Sequence, residues 1–65
     1  MFQPVVKLKA LRAEHLHTQE HLSDILRISP ATYNRKENGK GDFLLSEVKN
    51  ILEYYGVVFE DVFTS

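Results

Sequence analysis

A chain of 65 residues, 43% of them hydrophobic and 26% charged, has the composition of one small globular domain spanning 1–65. It has no cysteine, which excludes disulfides and thiolate metal or redox sites and suits a reducing cytoplasm. No apolar run approaches the roughly 18 residues needed to span a bilayer, and the opening stretch has no signal-peptide core. An enzyme is not expected, because a ligand cleft of about 300 Å³ or more would consume much of so small a core. The net charge of −1 is unevenly spread. Residues 1–26 are neutral, whereas Arg27, Arg35, Lys36 and Lys40 against Glu37 alone give residues 27–40 a charge of +3. Residues 41–65 carry −4, from Asp42, Glu47, Glu53, Glu60 and Asp61 against Lys49. Screening cuts off interactions beyond about 8 Å, so the local basic patch, and not the total, governs contact with phosphate.

In chain order, Pro4 suits the start of a first helix, since its missing N–H costs nothing there. Val5, Leu8 and Leu11 follow at helical spacing. Thr18 is an N-cap for a second helix, with Glu20 in its first turn and Leu22, Ile25 and Leu26 as its apolar stripe. Ser29-Pro30 is the strongest local signal, a capping serine followed by proline at the first helical position. This third helix stops at Asn38-Gly39, where glycine can take the left-handed conformation that ends helices. Gly39-Lys40-Gly41-Asp42 reads as a loop. A fourth helix places Leu45, Val48, Ile51, Leu52 and Tyr55 on one face and closes at Gly56. The remainder, through Phe63, has strand propensity but no evident sheet partner. A fifth, short helical turn packing Phe59, Val62 and Phe63 on the core is therefore expected.

Two short helices joined by Arg27-Ile28-Ser29 must cross steeply, which leaves the second protruding. Tyr33 can anchor it while Ala31, Thr32, Asn34 and Arg35 face outward. Such a helix-turn-helix, at about residues 18–38, fits its second helix into the roughly 12 Å wide major groove of DNA.

The run from Gln19 to Leu26, Ile28-Ser29, Thr32 to Arg35, Glu37 to Lys40, and Gly56-Val57 with Glu60 to Phe63 resemble the Cro/lambda-repressor-like (XRE) helix-turn-helix family. The resemblance covers about residues 5–63 without gaps, and the ordered set of motifs is far more specific than any one of them. It implies an all-α, compact five-helix domain that binds double-stranded DNA as a transcriptional regulator. By the same resemblance Ala31, Thr32 and Arg35 face base edges. Gln19, Ser29, Asn34, Asn38, Gly39 and Lys40 contact the DNA backbone, the last three as a phosphate-gripping loop that includes backbone N–H groups. An arginine can make two bonds to guanine, and methyl groups can pack on the thymine methyl. Amide and lysine side chains suit phosphate, which sets register but not sequence.

Three positions depart from the family pattern. Arg27 stands where the tight turn usually has glycine, and a left-handed arginine costs about 1 kcal/mol. Pro30 replaces a position that often reads a base. Lys36 replaces a large apolar residue and must bury its stem while extending its ammonium outward.

His17 and His21 are four apart, but that spacing crosses the helix start at Thr18 and no cysteine or carboxylate completes a ligand set, so no metal is expected. A serine–histidine nucleophile lacks an orienting group and an oxyanion site. Tyr33, Tyr54 and Tyr55 read as core and rim residues, and Arg35 could alternatively be a surface charge paired with Glu37 or Asp42. The whole reads as a small Cro-type repressor, cytoplasmic and nucleoid-associated in a prokaryotic or phage-infected cell, with neither cofactor nor small-molecule ligand. Apolar residues Val57, Val58, Phe59, Val62 and Phe63 suggest a homodimer interface at the C-terminal end. The competing class is a protein-interaction module on the same fold, an antirepressor or antitoxin-like regulator, favoured by the acidic C-terminal third.

Overall fold

The computed structural model describes residues 3–4 and 6–64. Four α-helices follow one another: α1 (Val6–Glu14), α2 (Gln19–Leu26), α3 (Pro30–Glu37) and α4 (Leu45–Tyr55). A three-residue 3₁₀ turn, Phe59–Asp61, stands where the fifth helix was expected. Two strands of two residues each, β1 (Gln3–Pro4) and β2 (Phe63–Thr64), pair antiparallel with Pro4 opposite Phe63. The helices thus dominate the regular structure of the described residues, and the β1–β2 pairing supplies the C-terminal segment with a sheet partner. Pro4 belongs to that pair and not to α1, which begins at Val6. Proline is tolerated there because an edge strand need not donate from every residue. Val5 lies outside the described residues. No helix among the described residues is long and apolar enough to cross a membrane.

The helix starts follow local chemistry. Thr18 accepts from the His21 N–H at 3.1 Å, and Ser29 accepts from the Thr32 N–H at 3.1 Å with Pro30 next in line. All four helices end in the same way. His17, Ile28, Lys40 and Val57 each donate a backbone N–H to the carbonyl five residues back. The residue just before each donor is left-handed: Leu16 (φ 57°), Arg27 (φ 59°), Gly39 (φ 79°) and Gly56 (φ 65°). This is the helix-ending motif that favours glycine. Two of the four positions lack one, at a cost of about 1–2 kcal/mol each.

The core gathers Leu8 from α1, Leu22 and Leu26 from α2, Tyr33 from α3, Val48 and Ile51 from α4, and Val62 and Phe63. Phe43, from the loop before α4, is buried among them. It sits edge-on to Tyr33 and Phe63 at ring-centroid distances of 6.1 and 5.3 Å, with Phe59 stacked on Phe63 at 5.8 Å. Leu45, expected on the inner face of α4, is instead 56% exposed. The larger Phe43 fills the core at that end of the helix. The expected apolar surface near the C-terminus is also mostly absent. Val62 and Phe63 are buried within the chain, Val57 and Phe59 are half-buried, and Val58 alone of the five is exposed.

Candidate nucleic-acid interface

The three residues Arg27-Ile28-Ser29 join α2 to α3, and the left-handed Arg27 makes so short a turn possible. α3 has two faces of opposite character. Its inward stripe is Tyr33, Lys36 and Glu37, of which Tyr33 and Glu37 are buried and Lys36 half-buried. Its outward stripe is Ala31, Asn34, Arg35 and, just past its end, Asn38, spaced i, i+3, i+4, i+7 and all exposed. A helix with so little apolar surface is held mainly by what its inward polar groups bind.

Glu37 is the centre of that hold. Its carboxylate takes two hydrogen bonds from Arg12 (Nε 2.9 Å, Nη2 3.1 Å), one from Gln19 Nε2 (2.9 Å) and one from the Tyr33 hydroxyl (2.8 Å). Three helices thereby converge on one buried charge. Burial pushes the Glu37 carboxyl pKa up, but the hydrogen bonds from Arg12, Gln19 and Tyr33 outweigh it and hold the carboxyl below its ordinary value. Hydrogen bonding to Glu37 raises the Arg12 pKa further above its already high value, against the effect of burial. Burial, with Glu37 beside it, likewise raises that of the Tyr33 phenol.

The same network reaches the surface. Gln19, half-buried at the start of α2, donates to Glu37 and accepts from Asn34 Nδ2 at 2.9 Å. Both of its amide ends are therefore fixed, and one N–H on each amide remains for an outside partner. Ser29 caps α3 and also donates its hydroxyl to Thr32 Oγ1 at 2.8 Å, which leaves the Thr32 hydroxyl proton available. Asn38 donates from Nδ2 to the Asn34 carbonyl at 2.9 Å.

The structure thus brings Gln19, Ser29, Asn34 and Asn38 together with Ala31, Thr32 and Arg35 on the exposed side of α2 and α3. It corrects the expected role of the loop backbone. The N–H of Gly39 is bonded to the Lys36 carbonyl, and that of Lys40 to the Arg35 carbonyl at 2.8 Å. Gly39 therefore serves as the left-handed helix end, and what the loop offers outward is the Lys40 ammonium and the Asn38 side chain. Lys36 is corrected too: its ammonium does not extend into water but binds both oxygens of Glu47, at 2.7 and 2.9 Å. Because Lys36 and Glu37 are neutralised inside the fold, the exposed charge of the basic segment is carried by Arg27, Arg35 and Lys40. None of these three has an ion-pair partner among the described residues. Glu37 is bonded to Arg12, Gln19 and Tyr33 and not to Arg35.

The pairing of Arg12 with Glu37 and of Lys36 with Glu47 is not anticipated by the sequence reading. The available signal was the position of Glu37, four residues after the sole aromatic of α3 and hence on its inner stripe.

A helix-turn-helix family model matches residues 8–61. The chain belongs to the Cro/lambda-repressor-like (XRE) helix-turn-helix family. That family consists of DNA-binding transcriptional regulators and is not an enzyme class. The chain is also 42% identical over 57 residues to an uncharacterized HTH-type transcriptional regulator of Methanocaldococcus jannaschii, a match covering 88% of this chain and 86% of the relative. No solved structure matches it significantly. α2 and α3 are the two helices of the helix-turn-helix.

Proposed function

We propose that this chain, acting as one DNA-binding unit over residues 1–65, binds duplex DNA sequence-specifically with α3 in the major groove. In this reading it represses transcription by occluding a promoter. The observation that carries it is the two-faced α3: a buried inner stripe fixed to α1 and α2 through Glu37, and an outer stripe of small, amide and basic side chains. Arg35 is the principal reader of base edges, with Ala31 and Thr32 beside it. Gln19, Ser29, Asn34, Asn38 and Lys40 hold the phosphate backbone, while Gly39 shapes the loop that presents Lys40.

The unit acts as a homodimer on half-sites about 34 Å apart, because a single small module rarely binds tightly enough alone. The apolar C-terminal residues do not supply that dimer's interface, since most of them lie inside the protomer. With three exposed cations in the recognition segment, affinity is modest and strongly dependent on salt. The setting is the cytoplasm, with the nucleoid as partner.

Selection of random duplexes by the purified protein at about 0.1 M salt tests the reading, with binding in that range dominated by phosphate contacts. Recovery of an inverted repeat supports both DNA recognition and the dimer. Arg35→Ala then costs about 1–3 kcal/mol and relaxes specificity at one position, whereas Lys40→Ala weakens all duplexes alike and lowers the salt slope by about one. Failure of folded protein to enrich any sequence favours the protein-interaction reading, for which the exposed acids Glu60 and Asp61 are the natural surface.

A further inference from the structure

On the corner between α1 and α2, five side chains form a cluster that the DNA-binding reading does not use. His17 Nδ1 lies 2.9 Å from the Tyr55 hydroxyl, and His21 Nε2 lies 2.8 Å from the Tyr54 hydroxyl. The two imidazoles stack on each other with centroids 4.1 Å apart, and His15 stacks on His17 at 5.6 Å while touching Tyr55 at 4.8 Å. Two pairs of hydrogen-bonded rings thus tie the corner to the last turn of α4.

This geometry tolerates neutral histidines and opposes charged ones, because three imidazolium ions would face one another within a few ångströms. The groups facing His17 are His15 at the end of α1, His21 from α2, and Tyr54 and Tyr55 from α4. Arg12 of α1 donates to the His17 carbonyl at 3.0 Å, and Glu37 lies behind Arg12. Of the other acids on these elements, the exposed Glu14, Glu20, Asp24 and Glu53 and the buried Glu47 make no hydrogen bond or ion pair with the cluster among the described residues. No carboxylate among the described residues is therefore bonded to one of the three rings. Burial, with its histidine neighbours, lowers the His17 pKa below the ordinary histidine value.

The corner is wired to the recognition surface. The Arg12 guanidinium that holds the His17 carbonyl also grips Glu37, Glu37 fixes Gln19, and Gln19 holds Asn34. His17 is also followed directly by Thr18, the cap of α2. We infer that the His15–His17–His21 cluster is a proton-sensitive latch between the α1–α2 corner and α4, whose protonation releases the corner, displaces Gln19 and weakens DNA binding.

The effect on DNA rests on the function proposed above, and its sign is diagnostic. Added positive charge on a passive surface tightens binding to phosphate on acidification. Opening of the latch loosens it. The sign for stability is also defined. Since the folded protein resists protonation at His17, the unfolded chain takes up protons first, and stability falls as pH drops below the unfolded histidine value of about 6.5.

The test compares wild type with His17→Gln/His21→Gln between about pH 7.5 and about pH 5.5, either side of that value. Two-dimensional NMR of the DNA-free protein follows the Gln19 side-chain amide and the Tyr54 and Tyr55 rings. Binding to a selected duplex is measured in parallel. In wild type the Gln19 and tyrosine signals move with the histidine titration and affinity falls about tenfold, the change that one pKa unit of coupling produces. In the double variant both responses are lost. If that variant does not fold, His21→Gln alone, which leaves His17 and Tyr55 in place, shows reduced responses. Gln19 and tyrosine signals that stay fixed while the histidines titrate overturn the latch, as does tighter binding in acid. Absence of DNA binding at every pH counts against the functional reading, and the NMR response still decides the latch.

Discussion

Two buried glutamates hold α3 in place, Glu37 within it and Glu47 through Lys36, and they are held in different ways. Glu37 ends α3 with a side chain that is 0% exposed and takes four hydrogen bonds from Arg12, Gln19 and Tyr33. Glu47 lies in the first turn of α4 with a side chain that is 6% exposed. It binds the Lys36 ammonium through both oxygens and accepts from the Leu44 N–H at 2.7 Å. The partners of Glu37 are mostly planar or rigid groups from three helices, so it fixes where those helices meet. Glu47 is a helix-start cap strengthened by one flexible lysine. The difference teaches that equal burial does not mean equal structural consequence. What counts is how many separate elements a charge joins and whether its partners have somewhere else to go.

The largest effect is expected from Glu37→Ala. It strands the Arg12 guanidinium and the Tyr33 hydroxyl in or near the core, and breaking one side of a buried pair costs about 3–5 kcal/mol. A domain of this size has about that much stability in all, so urea denaturation should show a largely unfolded variant. A well-folded Glu37→Ala protein with an unchanged midpoint would remove the proposed distinction between the two glutamates.

Acid should erode the same interaction in wild type. The Glu37 pKa is lowered on folding, so its contribution is complete above the unfolded value of 4.5. It is lost as pH falls below that value and through the folded pKa. In Glu37→Gln this acid limb of a stability–pH curve should disappear, while any loss between about pH 5 and 7, the histidine range, should persist. An acid limb that survives in Glu37→Gln would assign it to another carboxylate.

Glu47→Ala should cost less, about 1–2 kcal/mol, the worth of a helix cap and one hydrogen-bonded charge. Lys36, with a side chain already 14% exposed, can turn to water when its partner goes. Glu47→Gln retains an acceptor for the Leu44 N–H, so the gap between the two variants measures the lysine contribution. A loss at Glu47 as large as that at Glu37 would show that Lys36 is as tightly trapped as Arg12.

The smallest change, and the one stabilising substitution, is expected at Leu16. It is left-handed and 91% exposed. Leu16→Gly relieves strain of about 1–2 kcal/mol but frees the unfolded chain by about 0.5–1 kcal/mol, for a net gain of up to about 1.5 kcal/mol. A higher melting temperature with no change in Glu37 behaviour would separate backbone effects at helix ends from side-chain effects at the buried charges.

Much of the candidate interface was legible in advance because it is local. Ser29-Pro30 starts α3 and Asn38-Gly39 ends it, and the 3.6-residue period then decides that Ala31, Asn34 and Arg35 share a face opposite Tyr33. The engagement of the Gly39 and Lys40 N–H groups was less legible, since the same glycine signal serves a helix end and a phosphate loop. Lys36 could be read only in part: its stem was expected to be buried, and it is half-buried. Its partner Glu47 is eleven residues away, and nothing local to either residue announces the pair.

The sequence by itself determined where α2 and α3 begin, where α3 and α4 end, and which side of α3 is outward. Caps, proline, glycine and helical periodicity act over a few residues and need no distant partner. Only the tertiary structure decided that Glu37 and Glu47 are buried, that Leu16 is left-handed, and that Phe43 is buried while Leu45 is exposed. It also decided that β1 pairs with β2 across the length of the chain. Each of these runs against local preference, and each is stabilised by groups from other elements: Arg12 and Gln19 for Glu37, Lys36 for Glu47, and the aromatic column for Phe43. Burial of a charge or strain in a backbone becomes favourable only once those partners are in place, which a reading of neighbouring residues cannot supply.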